Sequence, residues 1–350
     1  MTIETALDLF KELLAAPSPS GREEGVAQIV RTKLDQIGFD HETDGAGNLL
    51  VRLGGQEVDG PLICYAAHMD EIGMVVTSIT PTGDLLVDRT GGLFPWKLGE
   101  GPVEVLGDSE SIIGVLSMGS THTANAANQS VQWSDVRILT GLTTSQLADA
   151  GIRPGSTAVP TREVVGPVLF GDPADPLVGA WTFDDRMGIV ALLRLLQTLK
   201  AIGVTPLYPT LIAFTVHEEG GGHGAKILSA TEMPDIFVSI DGSPIPPGVP
   251  LSLDGRPGVW SKDRLTHYDQ RLVRAFCASA TAAGTEAQPA VFAQAASDAS
   301  LVYAAGGVHR TACFGHVREN SHGYEVARLS GFDRVLETLV HFVTENNFEE

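Results

Sequence analysis

The sequence is short of basic residues, cysteine and long apolar runs, and each shortage excludes something. Lysine and arginine number 23 against 43 aspartates and glutamates, giving a formal net charge of −20. Nucleic acids are bound by basic patches that neutralise phosphates, so this balance argues against nucleic acid as a partner. It favours solubility and the attraction of cationic groups, a free peptide amine among them. No apolar stretch approaches the roughly 18–20 residues of a membrane-spanning helix, so no membrane association is expected. The opening "MTIETALDLFKELLAAP" is an acidic amphipathic helix pattern without the basic-then-apolar order of a secretory leader. The three cysteines, Cys64, Cys277 and Cys313, are odd in number and far apart, which suits reduced thiols in a cytoplasmic protein better than a disulfide framework. On that expectation the sequon-like "NQS" at Asn128 is a chance match.

Hydrophobic residues make up 43% of the 350, enough for a sizeable core. Near the start, "SPSGREEGVAQIVRTKL" predicts a helix opened by a capping box of Ser20 and Glu23. "DGAGNLLVRL" predicts a turn and a strand, and "PLICYAAHMD" has the continuous apolar run of a buried strand, with Cys64 as a small core residue. From about residue 72 to about 175 short β-prone pieces ("GMVVTSI", "DLLVD", "SIIGVLSM", "STAVPTREVVGPVLF") alternate with Gly, Pro and Asp turns. They read as a small barrel or sandwich. Afterwards helices and buried strands alternate again: "DDRMGIVALLRLLQTLKAIG", "TLIAFTV", "DIFVSID", "HYDQRLVRAFCASATAAG" and "DRVLETLVHFVTENN". The expected fold class is therefore α/β, a single core interrupted by an all-β insertion. The expected boundaries are 1–72 for the first part of the core, 73–174 for the insertion and 175–350 for the second part.

Three apolar strands end in residues able to ligate metal. "LICYAA" runs into His68-Met-Asp70, "LIAFTV" into His217-Glu218-Glu219, and "IFVSI" into Asp241. Ligands of open α/β sheets bind beyond the carboxyl ends of the strands, so these three ends point to one crevice. His68 and Asp70 share a face of an extended segment, which lets the carboxylate orient a metal-binding imidazole. Glu218 and Glu219 are adjacent; at a strand's end one could hold a cation while the other works as a base. The three glycines that follow let backbone approach a substrate closely, and they forbid the helix of an H-E-x-x-H zinc motif. Asp184 and Asp185 in "WTFDDRMG" suit a helix N-terminus, where acidic charge is stabilised; Asp184 could instead bridge two cations. His322 lies in the polar loop of "VRENSHGYEV". His122, His267, His309, His316 and His341 read as solvated, and His217 and His223 as structural.

Together, "PSPSGREE", "DGAGNLLV", "AAHMDEIGMVV", "FDDRMG", "FTVHEEGGGHGA", "VSID" and "SHGYEV" resemble, in this order, the tetrahedral (TET) aminopeptidase family, the glutamyl and deblocking group of di-metal metallopeptidases. The resemblance implies a peptidase-type α/β/α sandwich whose inserted barrel-like domain serves assembly, with a homo-oligomer of twelve subunits. It implies two divalent metal ions per subunit. His68, Asp184 and Asp241 would hold one, and Asp184, Glu219 and His322 the other. Glu218 would be the general base and Asp70 the partner of His68. The family's usual glutamine before the two glutamates is here His217, and its Ser-Pro after the last histidine is Gly-Tyr.

The implied ligands are nitrogen and oxygen only, which suits zinc, cobalt or manganese without choosing among them; zinc is the first expectation. The expected activity is hydrolysis of N-terminal peptide bonds of peptides with a free amine, through a metal-held hydroxide and the Glu218 base. The alternatives are a deacylase or carboxypeptidase of the same chemistry, or a scaffold protein with a non-catalytic metal site.

Overall fold

The computed structural model describes residues 5–122 and 130–345; Asn128 lies outside them. Eight strands form the central sheet, in the spatial order Glu42–Thr43, Leu49–Leu53, Thr210–Thr215, Ile63–His68, Ile236–Ile240, Arg310–Gly315, Gly258–Lys262 and Gln288–Val291. The four in the middle run parallel to one another. Their apolar runs follow from burial on both faces. Tyr65 meets the ring of Phe342 in the last helix at 6.3 Å. On the other face the Ser239 hydroxyl accepts the Ala299 N–H from the helix Asp298–Ala304 at 2.8 Å. Ser239 stands beside Ala66, next in the chain to Tyr65. Adjacent strand residues point oppositely, so helices cover both faces and the core is the expected α/β/α sandwich. Phe276 stacks between Phe314 and Phe342 at 4.5 and 3.9 Å, fixing two outer helices to the sheet. The helix Phe183–Ile202 is buried almost all round, which explains why its sequence is apolar on every side. No helix among the described residues is long and apolar enough to cross a membrane.

After His68 the chain leaves the sheet and builds a closed barrel of six strands: Gly73–Ile79, Leu85–Thr90, Arg137–Leu139, Ser111–Ser117, Gly101–Leu106 and Thr157–Pro160. Met74, Val76, Leu85, Val87, Val103, Val105, Leu116 and Ile138 fill it. The last β-prone piece of that block behaves differently from expectation. Arg162 donates to the Leu14 carbonyl at 3.2 Å and pairs with buried Glu71 at 3.5 Å, which draws the chain back to the core. Val168–Phe170 then pairs with Leu177–Trp181 instead of the barrel.

That pairing begins a second sheet, which periodicity did not reveal. Its five strands are Val168–Phe170, Leu177–Trp181, Tyr324–Arg328, Val317–Glu319 and Ser243–Pro244. Most are too short to show an alternation. Their importance is positional, because Asp184 follows one of them and His322 sits in the turn between two others.

Two local expectations need correction. The helix Glu24–Ile37 has no side-chain cap; the Ser20 hydroxyl instead donates to Asp70 Oδ2 at 2.5 Å, and Glu23 accepts the N–H groups of Gly21 and His217. His316 is not solvated but 3% exposed, with its ring 5.2 Å from that of Phe332. Burial, aided by the charges of Arg318 and Arg194, pushes its pKa down to about 3 from the ordinary 6.5. The folded chain therefore keeps this ring neutral where the unfolded chain protonates it. Its stabilising contribution is complete above about pH 6.5 and is lost as pH falls towards 3. Thermal unfolding between pH 7 and pH 4 should accordingly drop more steeply for the wild-type chain than for His316→Phe.

Candidate metal centre

His68 ends its strand pointing into the crevice, and its ring is held at both nitrogens. Nδ1 is 3.0 Å from the Asp70 carbonyl, an acceptor only, so that nitrogen carries the hydrogen. Nε2 is left facing Asp184 Oδ1 at 3.1 Å. Burial lowers the His68 pKa, but the Asp184 and Asp70 carboxylates outweigh it and hold the ring well above its ordinary value. A cation at this spot would take the place of the Nε2 proton.

Asp70 has a second task. Its two oxygens accept the N–H groups of Glu218 and Glu219 at 2.9 and 3.1 Å, so one buried carboxylate sets the turn that presents both glutamates. The turn itself needs unusual backbone: His217, Gly221 and Gly222 all have positive φ, at 57°, 111° and 68°. Glycine takes such angles without the Cβ penalty, which accounts for two of the three glycines, and Gly221 also lines the cavity described below.

Asp184 lies just before the regular part of the helix Phe183–Ile202, with non-helical backbone and a cis bond to Asp185. Its Oδ2 accepts from Arg318 Nη2 at 2.6 Å and is 3.5 Å from His322 Nε2. Burial works against ionisation, yet Arg318, His322 and His68 together hold the Asp184 carboxyl well below the usual carboxylate range. Asp185, expected to serve the helix start, accepts the Gly188 N–H at 2.9 Å and also the His68 N–H at 3.3 Å.

These residues form two overlapping groups. One is His68, Asp184 and Asp241; the other is Asp184, Glu219 and His322; within each, the ligating atoms lie within 4.8 Å of one another. Asp184 belongs to both. Burial pushes the carboxyls of Asp241 and Glu219 up to about 7. The cause is crowding of acids away from water, a cost that divalent cations reverse. Donor type, spacing and charge therefore fit a pair of hard or borderline cations. Glu218 joins neither group. Its carboxyl is raised well above the ordinary value by burial, with Asp298, Glu219 and Asp241 adding repulsion.

The groups open on a cavity of about 870 Å³ lined by Phe94, Trp96, Val249, Trp260, Arg264 and Leu301 as well as by the acids. Phe94 and Trp96 come from the inserted barrel and stack at 6.1 Å. The insertion thus reaches the crevice. Its Gly91 and Gly92 press on the second group: a Cβ at Gly91 would come 2.7 Å from Glu219 Oε2, and one at Gly92 would come 2.6 Å from His322 Nδ1.

Sequence reasoning missed Arg318 and Glu325, both buried beside Asp184. Each lies inside the quoted "VRENSHGYEV", but a lone arginine and glutamate in a polar loop carry no pattern of their own. The profile of the M42 glutamyl aminopeptidase family matches residues 47–337. A glutamyl aminopeptidase of Lactococcus lactis subsp. cremoris is 29% identical over 245 residues, 68% of this chain and 66% of that enzyme, so the match spans just under two thirds of the relative's length. A lysyl aminopeptidase of Pyrococcus furiosus is 24% identical over 67% of this chain and 65% of its own. The solved TET1 peptidase of Pyrococcus horikoshii, described as able to assemble into a tetrahedron or a large octahedral shell, superposes with a TM-score of 0.84 at 26% identity, covering 98% of this chain and 100% of that one. With five-sixths of its length matched by one profile, this chain belongs to the M42 glutamyl aminopeptidase family.

Proposed function

We propose that the protein is an aminopeptidase using two divalent cations, zinc before cobalt or manganese, and that it removes the N-terminal residue of peptides with a free amine. The observation that supports this most is the sharing of Asp184 between two ligand groups at the floor of one cavity. His68, Asp184 and Asp241 would hold one cation, and Asp184, Glu219 and His322 the other. Bound there, the pair would polarise the scissile carbonyl and lower the pKa of the attacking water. Glu218 takes the proton of that water and returns it to the leaving amine. A carboxyl that burial has raised is suited to both halves of that task. Asp70 orients His68 through the ring's Nδ1 side and fixes Glu218 by its main chain. Phe94 and Trp96 line the same cavity and offer apolar surface to the substrate beside the cations.

A panel of amino-acid p-nitroanilides tests the reading, run on chelated protein and again after zinc, cobalt or manganese is restored. Activity that disappears with the chelator, returns with metal and requires a free amine is the expected result. Activity on N-blocked peptides, or release of the C-terminal residue, would favour a deacylase or carboxypeptidase. Gly92→Ala adds a local check: its Cβ displaces the His322 ring, so turnover should fall about tenfold while the unfolding temperature stays close to wild type.

The same reading includes self-assembly. Val115 and Leu139, paired across two barrel strands, Ile113 beside them, and separately Val168, Leu169 and Phe170 in a row on the edge strand are exposed, and exposed apolar clusters commonly mark an interface. Light scattering should find a particle several times the mass of one chain.

A further inference from the structure

Asp70 is not the only buried carboxylate that holds candidate ligands by their main chain. On the far side of the crevice Glu325, 1% exposed, does the same. Its Oε2 accepts the Asp184 N–H at 3.0 Å and its Oε1 accepts the His322 N–H at 3.2 Å. Glu325 is also bonded to Arg318 Nη1, and Arg318 Nη2 donates to Asp184 Oδ2 at 2.6 Å. The second sheet makes this possible: Glu325 stands opposite Ala180 on the strand leading to Asp184, and Arg318 stands opposite Ala327 across the hairpin that carries His322. One glutamate–arginine unit therefore fixes the main chain of both Asp184 and His322 and one carboxylate oxygen of Asp184. No hydrogen bond joins Glu325 to His68 or Asp241, and Arg318 reaches the first group only through a longer ion pair with Asp241 Oδ1 at 3.8 Å.

We propose that Glu325, acting with Arg318, is the positioning residue of the second cation, the one assigned to Asp184, Glu219 and His322. The proposal rests on the two-cation reading above. Glutamine at 325 would keep the shape but offer one acceptor oxygen in place of two, and an amide NH₂ cannot accept a main-chain N–H. One of the two ligand segments then loses its anchor, and Arg318 loses one of its counter-charges, keeping Asp184. Outer groups that orient metal ligands are typically worth about 10–100-fold in affinity. Asp184 and His322 both serve the second cation and only Asp184 serves the first, so the larger loss should fall on the second.

The test titrates metal-stripped full-length protein with zinc against a chelator of known affinity, for wild type, Glu325→Gln and, as a control on the opposite face of the same hairpin, Glu319→Gln. Wild type and control should bind two equivalents alike. Glu325→Gln should bind the first equivalent within about threefold of wild type and the second about 10–100-fold more weakly. Its turnover should recover as zinc is raised, with KM for peptide unchanged. If that variant does not fold, Arg318→Lys, which keeps the charge but loses the two-pronged reach, should show the same selective loss to a smaller degree. Two equivalents bound at wild-type affinity, or equal weakening of both with a lowered unfolding temperature, would overturn the proposal. A wild-type chain that binds fewer than two cations would instead remove the two-cation reading beneath it.

Discussion

Changing Glu218 to Gln should lower kcat by about two to four orders of magnitude, the usual worth of a positioned general base, while metal content stays at the wild-type level. Both halves follow from geometry. The Glu218 N–H is anchored on Asp70, and its carboxyl belongs to neither ligand group. The amide keeps that anchor and the side-chain shape, and it removes only the ability to take a proton. KM should change little. Turnover near wild type with metals bound would assign the base elsewhere.

Asp184→Asn should have the larger effect, because this side chain serves both groups and also receives Arg318. An asparagine offers one neutral acceptor oxygen where the carboxylate offers two charged ones. Both cations should bind far more weakly, and turnover should fall roughly a thousandfold or more, since metal polarisation of a carbonyl is worth several kcal/mol. Unlike the Glu218 variant, this one should also alter stability. Arg318 and His68 each lose one of their charged partners inside the protein, with Glu325 and Asp70 remaining, so the cost should stay below the about 3–5 kcal/mol of a fully broken buried pair. Metal analysis after dialysis, read beside a thermal scan, separates the two outcomes.

The main sheet and the barrel were legible from the sequence because burial leaves a mark on composition. Ile63–His68, Thr210–Thr215 and Ile236–Ile240 are mostly apolar runs, and each ends at, or within two residues of, an acid or an imidazole. The gathering of His68, Glu219 and Asp241 could be anticipated from position alone. Asp184 could be raised only as an alternative to a helix start, and His322 sits in a stretch that reads as solvated loop; resemblance decided both. What brings them to the crevice is the second sheet, built from strands of two to five residues that show no period. Arg318 and Glu325 went unseen for the same reason. Ser20 misled in another way: its spacing to Glu23 fits a capping box, but the helix begins only at Glu24 with Glu23 at its N-cap, so Ser20 stands outside the first turn and its hydroxyl donates to Asp70.

The most direct test is anomalous X-ray scattering from zinc-loaded crystals. Two peaks about 3.5–4 Å apart, astride the Asp184 carboxylate, with His68 and Asp241 on one and Glu219 and His322 on the other, are what this account predicts. A single peak, or peaks that leave Asp184 unbridged, would contradict it.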